Sequence, residues 1–521
     1  MREDWIEFTL EEVKKDSLIG LVRSSGDQNN KSVGTPYLKM NNIDMIGNLQ
    51  LSNLVFVDVS DVEIEKYSLK FGDILINTRN SYELVGKTGT VRSLTGNVVF
   101  NNNIMRLRVK EGFDNFFIGY QLISPFIRKQ MEKHKKATTS VCALYQRDLF
   151  PLILKIPPLP EQRAIVSKIE ELFSSLDSGI ADLNRAQAQL KIYRQAVLKK
   201  AFEGGLTKGW RAMQTDLSTG DELLEQIKEE RQNHYKKQLE DWKKAVKDWE
   251  KKEKEFSRPG KPKKISDFIT DYEEKILIIP TSWREGVLEC IADAVDPQPS
   301  HRTPPKVDGG VPFVSIADID KITGEINFED ARPVGNNVLV EHINRYKLRK
   351  GDFVIGKIGT IGKPFFIPTE RFFTLSANVV LVKPFERTCS PKFLFYYNIS
   401  PQIEQQFTKG AKATTQAAFG IQKVRLLRVP LCAIEEQHQI VQEIESRLSV
   451  CDKVEESIVE SLEKSKALRQ SILKKAFEGR LLTDQELAAC KSAPDYEPAA
   501  VLLERIKAEK ATGAKKAPVS K

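Results

Sequence analysis

The chain has 521 residues, 80 Lys and Arg against 71 Asp and Glu for a net charge of +9, and 40% hydrophobic residues. That is enough apolar material for several packed domains and excludes a disordered chain, while so modest a positive charge favours nucleic acid only weakly. The opening MREDWIEFTL has no apolar signal segment, no eighteen apolar residues run together, and Cys142, Cys290, Cys389, Cys432, Cys451 and Cys490 form no CxxC or Cys/His cluster; the expectation is a soluble cytoplasmic protein with reduced thiols, no membrane span and no metal site.

Residues 1–155 read as a mixed α/β domain, with candidate strands at 54–59, 73–77, 90–92, 98–100 and 104–109, a helical stretch at 116–133, and turns at Phe71-Gly72-Asp73 and Thr95-Gly96-Asn97.

Residues 156–210 form the first helical region. After Pro157, Pro158 and Pro160, apolar residues recur at Ile165, Ile169, Leu172, Leu176, Ile180, Leu183, Leu190, Tyr193 and Val197, and the stretch closes at Lys199 to Gly204. Steps of mostly three and four predict one helix over 161–203, about 65 Å long at 1.5 Å per residue.

Residues 211–275 hold a second helix, dense in Lys and Glu, over 221–256. Tyr235, Leu239, Trp242, Val246, Trp249 and Phe256 make one sticky stripe along it, fit either to pack back on the chain or to dock a partner. The linker SRPGKPKK follows at 257–264.

Residues 276–428 restate the first domain at a few signposts. Ser282-Trp283 resembles Asp4-Trp5, Lys350 to Ile355 echoes Lys70 to Ile76, Ala377-Asn378-Val379 echoes Asn102-Asn103-Ile104, and Thr414-Thr415 echoes Thr138-Thr139. Elsewhere the two domains differ.

Residues 429–482 repeat the helical region without insertion. Glu161-Gln162 returns as Glu436-Gln437 (436 − 161 = 275) and Lys199 to Gly204 returns as Lys474 to Gly479 (474 − 199 = 275). The stripe returns as Ile440, Ile444, Leu448, Cys451, Ile458, Leu468 and Ile472. Neither narrow stripe can be buried alone, so the two helices should pair with each other as an antiparallel coiled coil. In the tail, 483–521, Leu502 to Lys507 restates Leu223 to Lys228 before a basic end, AKKAPVSK, expected to be disordered. The fold class is therefore α+β: two mixed α/β domains alternating with two long paired helices, a tandem repeat whose globular domains a pseudo-two-fold axis would relate.

No catalytic motif emerges. Gly356 to Lys363 resembles a phosphate loop, but Lys357 replaces a required glycine and Pro364 stands where a magnesium-binding Ser or Thr is needed, so a glycine-rich turn between strands is the better reading. GxSxG, HExxH and GxGxxG are absent, as is the Asn/Asp-Pro-Pro-Tyr/Phe tetrapeptide of amino-methyltransferases. What remains is loops bearing side chains that read base edges and phosphates. They are Lys39, Asn41 and Asn42; Arg79, Asn80 and Lys87; Lys135, Lys136 and Thr138; and Lys357, Lys363, Lys409, Lys412 and Thr414.

This alternation, carried by Pro157-Pro158-Leu159-Pro160-Glu161-Gln162, by Lys199 to Gly204 and by their copies 275 residues on (436 − 161), resembles the specificity subunit of type I restriction-modification enzymes over essentially the whole chain. The second copy departs from the family at Leu431 to Glu435, where the proline-rich opening is degraded. The resemblance implies two target-recognition domains that each read half of a split double-stranded DNA target, with the helices as spacer. It also implies two modification subunits, adenine methyltransferases bringing S-adenosylmethionine, docked at Glu161, Gln162, Phe202, Glu436, Gln437 and Phe477. Restriction subunits would add ATP- and magnesium-dependent translocation and cleavage, while this chain binds no cofactor and catalyses nothing. A coiled-coil scaffold without DNA specificity is the alternative class.

Overall fold

The computed structural model describes residues 4–137, 141–251, 259–262, 276–321, 323–357, 362–411 and 419–514. It divides into two compact units, one of residues 1–185 with 458–521 and the other of residues 186–457. Each unit holds one globular domain and the opposite halves of the two long helices.

In the first unit, strand Ile6–Thr9 pairs antiparallel with Ile153–Ile156, so the entry and exit of the globular domain are tied together at the start of the first long helix. Lys14–Ile19, Ile104–Val109, Ile74–Asn77 and Thr88–Thr90 follow in that order in a four-stranded antiparallel sheet. A second sheet orders Gln28–Asn29, Val55–Val57, Thr35–Leu38 and Val99–Phe100, the last two strands parallel. A small third sheet joins Lys136–Ala137, Cys142–Ala143 and Arg79–Asn80. The expected strands are present, though the one placed at 90–92 lies at Thr88–Thr90. The helix expected over 116–133 is two, Asn115–Leu122 and Pro125–Glu132. The break follows from chemistry: Pro125 has no N–H to continue the first helix, and the Ser124 hydroxyl accepts from the Ile127 N–H to open the second.

The second unit is built alike. Arg284–Val287 pairs with Arg428–Leu431, and Ala292–Val295, Val379–Pro384, Phe353–Gly356 and Pro364–Phe366 form the four-stranded sheet. Arg332–Val334, Val311–Val314 and Thr374–Leu375 form the companion sheet, again with its last strand parallel. The glycine-rich stretch after Gly356 does join two antiparallel strands, and its residues 358–361 lie outside the described ones.

The two long helices run over Leu159–Phe202 and Ile434–Phe477, 44 residues each, against the expected 161–203. Both end the same way. The Gly205 N–H bonds the Lys200 carbonyl and the Arg480 N–H the Lys475 carbonyl, closures that need the positive φ taken by Gly204 (69°) and Gly479 (72°). Within the first unit Asp177 pairs with Arg469, and within the second Arg194 pairs with Asp452 at 2.7 Å and Glu455 at 2.9 Å. The partner number falls as the residue number rises, so the helices are antiparallel; the two pairs are also copies, since 452 − 177 and 469 − 194 are both 275. The apolar stripe is buried at Ile165, Ile169 and Val197 of the first helix and at Ile440, Ile444, Cys451, Ile458 and Ile472 of the second. Tyr193 and Leu468, expected in the seam, are 47% and 51% exposed.

The charged helix spans Gly220–Lys251. Leu223, Leu224 and Ile227 join the second domain's core, just as Leu502 and Ile506 of helix Ala499–Ala514 join the first domain's core. The repeated Leu-Leu-Glu-Arg-Ile-Lys is thus a clasp. Part of the sticky stripe is covered by the chain itself, since Trp242 donates its indole N–H to the Pro259 carbonyl. Phe256, half of the linker (257–258 and 263–264) and the basic end from residue 515 lie outside the described residues. No described helix is long and apolar enough to cross a membrane.

Candidate nucleic-acid interface

The residues that recur between the two halves turn out to fasten each globular domain to its helix. In the first unit the Trp5 indole donates to Glu161 at 3.0 Å; in the second the Trp283 indole donates to Glu436 at 2.8 Å. Glu436 also accepts from the Thr207 hydroxyl at 2.7 Å and pairs with Arg211, so its buried charge is compensated. Gln162 accepts from the Asp114 N–H at 2.8 Å and donates to the carbonyls of Pro157 and Gly112. Gln437 repeats this with the Ser390 N–H at 2.8 Å and the carbonyls of Cys432 and Thr388. Phe477 meets Phe117, and Phe202 meets Phe393, both edge to face at 5.3 Å between centroids. All six residues expected to dock a partner are therefore buried and occupied within the chain. This is a correction: Glu161, Gln162, Phe202, Glu436, Gln437 and Phe477 offer no surface, because their hydrogen bonds and rings hold the domains in place.

The Gly-Asp signpost has a similar explanation. Asp73 accepts from the Lys70 N–H and takes a two-pronged ion pair from Arg108, while Asp352 accepts from the Arg349 N–H and pairs with Lys383. Sequence reading missed a further latch: Gln130 bridges the backbone of Ile153 on both its N–H and carbonyl, and Gln406 does the same for Arg428. The repeat's offset holds for the backbone partners, since 428 − 153 is 275, but the glutamines are 276 apart (406 − 130), so the offset alone points to Gln405 and only the fold picks out Gln406.

The expected DNA-facing residues sort into three groups. Asn42, Lys87 and Lys357 are buried. Asn42 caps its own turn at the Lys39 N–H, the Lys87 ammonium donates to the Met40 carbonyl at 2.7 Å, and Lys357 pairs with Asp296 at 2.8 Å. Burial pulls the Lys87 pKa below that of an ordinary lysine. These three hold loops, a correction to their expected role in reading DNA. A second group is partly engaged: Lys39 with Gln28, Asn80 with Asn77, Lys135 with Glu132 and the Tyr82 carbonyl, and Lys363 with the Lys321 carbonyl. The third, Asn41, Arg79, Lys136 and Lys409, is exposed. Thr138, Lys412 and Thr414 lie outside the described residues.

The small sheet gathers two of the exposed group in the first domain, Arg79 and Lys136. Lys136 pairs with Ala143, and Ala143 pairs with Arg79, so the three side chains share one face although Arg79 and Lys136 are far apart in sequence. Exposed Tyr82, Val141, Tyr145 and Arg147 flank this row, with the Arg147 guanidinium 5.3 Å from the Tyr145 ring. Cations interleaved with aromatic rings can hold phosphates and pack on sugar and base edges. The cysteines are all buried, and burial pushes the Cys290 thiol up to about 11, so these are packing groups and not nucleophiles. Among the described residues no group of three or more His, Cys, Asp or Glu could hold a metal ion.

A duplicated recognition frame, latched at equivalent helix positions and bearing different surface loops, is the class of protein this arrangement defines. The family model of the type I restriction modification DNA specificity domain matches residues 2–185 and 299–464. The chain is similar to the type I restriction enzyme EcoBI specificity subunit of Escherichia coli, 26% identical over 425 residues covering 80% of this chain and 77% of that one. It is 31% identical over 213 residues to the EcoKI specificity subunit of Escherichia coli strain K12, a match covering 40% of this chain and 46% of that one. A solved structure titled for complex assembly and conformational transition of the type I R-M system shares the fold, with a TM-score of 0.59, 18% identity, and coverage of 92% of this chain and 99% of that one. The chain belongs to the family of type I restriction-modification DNA specificity subunits. Its function is DNA recognition, and the catalysis of such systems lies in other subunits.

Proposed function

We propose that each globular domain reads one half of a bipartite double-stranded DNA target, and that modification subunits dock along the helical pair to methylate adenine inside it. The observation that carries this reading is the mismatch between frame and surface. Trp–Glu, Gln–backbone and Phe–Phe latches repeat almost atom for atom, while the loops beyond them do not. Two identical frames presenting two different faces suit two different half-sites. In this reading S-adenosylmethionine comes with two modification subunits, restriction subunits add ATP and magnesium, and the complex works in the cytoplasm.

The decisive experiment is affinity purification of the tagged chain with mass spectrometry of its partners, followed by selection of bound duplexes from a random pool. An adenine methyltransferase at about two copies per chain and a split consensus are expected; neither partner nor consensus would sink the reading. Arg79→Ala should cost roughly 1–3 kcal/mol at one half-site and leave the other unchanged, because the arginine belongs to one domain alone. Equal losses on both halves would remove Arg79 from the interface.

A further inference from the structure

The charged helix Gly220–Lys251 does more than the clasp requires. Its clasp residues, Leu223 and Ile227, lie in its first two turns, whereas the copy of the clasp at Leu502 belongs to a described helix only half as long, Ala499–Ala514. The extra turns carry Lys236, Lys237, Lys243, Lys244, Lys247 and Lys251, all exposed. At 100° per residue these six cover roughly 80° to 200° from Tyr235, opposite the apolar stripe, with Glu240 the one acid among them. Asp241, Asp248 and Glu250 flank that face, yet none of the six lysines makes an ion pair among the described residues. The opposite side is turned inward, with Val246 buried and Tyr235, Leu239, Trp242 and Trp249 half-buried.

The helix is also fixed to the second recognition domain near its loops. Arg231 pairs with Asp293 at 2.8 Å and stacks on Phe385, while His234 lies 3.5 Å from the same carboxylate. Burial works against the charge on Asp293, but hydrogen bonds from His234 and Arg231 together with their charge hold it at about 2. Three residues along the chain, about 10 Å of strand, Asp296 holds Lys357 at the foot of the glycine-rich loop.

We propose that this lysine face grips the phosphate backbone of double-stranded DNA flanking the half-site read by the second recognition domain. The inference rests on the reading of the chain as a DNA-recognition subunit. A rigid row of unpaired ammonium groups, spread over about 22 Å of helix axis, matches a polyanion of regular charge spacing and carries no sequence information, so it would add affinity to the flank without altering the consensus.

The test replaces the six lysines with Gln, which keeps helix propensity, in the full chain purified with its co-purifying subunits. Binding is measured to a duplex trimmed to the selected target and to one extended by about 15 bp beyond the second half-site, over a salt series. With roughly three phosphates contacted, the slope of log affinity against log salt should flatten by about 3 and affinity for the extended duplex should fall about tenfold, with the trimmed duplex and the consensus unaffected. Unchanged slope and affinity in a folded variant, with Arg79→Ala still impaired, would overturn the proposal and leave DNA reading intact. Loss of a protein partner with unchanged DNA binding would also overturn it, in favour of a protein-docking role. If the unaltered chain selects no DNA, the recognition reading fails and this inference falls with it.

Discussion

The glutamines at the helix openings show how much one side chain can hold. Gln437 satisfies one N–H and two carbonyls in a buried site, and Gln162 does the same in the other unit. Truncating either to Ala strands three backbone groups, at about 1 kcal/mol or more each. Gln437→Ala should therefore destabilise the second unit by roughly 2–4 kcal/mol and Gln162→Ala the first, which hydrogen exchange on each variant can resolve unit by unit. His342 gives a second residue-scale prediction. Its ring is buried, accepting from the Tyr346 hydroxyl at 2.9 Å and donating to Gln298 at 2.7 Å, and burial pulls its pKa from 6.5 to about 4. A histidine held neutral in this way stabilises fully above its unfolded pKa near 6.5, and that stability drains away as pH falls towards 4, by about 3 kcal/mol at most. The melting temperature of the second domain should drop across that window, and His342→Gln should flatten the dependence. At this scale the sequence showed which residues recur, but not why. Glu161 and Gln162 look like surface groups in a charged helix until the fold brings Trp5 and Asp114 against them.

At the scale of elements, the long helices were legible to within two residues because period, prolines and terminal glycines agree. The stretch at 116–133 was not, since its composition is helical throughout and only the geometry of Pro125 splits it. Tyr193 and Leu468, at equivalent positions of the two helices 275 residues apart (468 − 193), lie open to solvent although the apolar period places both in the stripe. Exposed apolar side chains at equivalent places on a twofold repeat suit a partner present in two copies. Tyr193→Glu combined with Leu468→Glu should weaken capture of the modification subunit at least tenfold, on the order of 1.4 kcal/mol or more, while helicity and the melting temperature stay unchanged. Retention of both partner copies by the double variant would place docking elsewhere.

For the whole molecule, we propose that the two 44-residue helices, about 66 Å each at 1.5 Å per residue, set the spacing between half-sites. Inserting four residues into one helix should change the spacer length recovered in a binding-site selection and leave both half-site sequences as they were. An unaltered spacer would remove the ruler role. The sequence by itself determined the duplication, the helix lengths, the absence of catalytic motifs and the family, because each of these is a matter of residue order and period. Only the tertiary structure decided which polar residues face solvent. Lys87 and Lys357 carry the same charge as Lys136 and Lys409, yet a nearby carbonyl or carboxylate takes the first two inside while the others remain at the surface. A side chain's freedom to meet DNA depends on neighbours distant in sequence, and those neighbours exist only once the chain has folded.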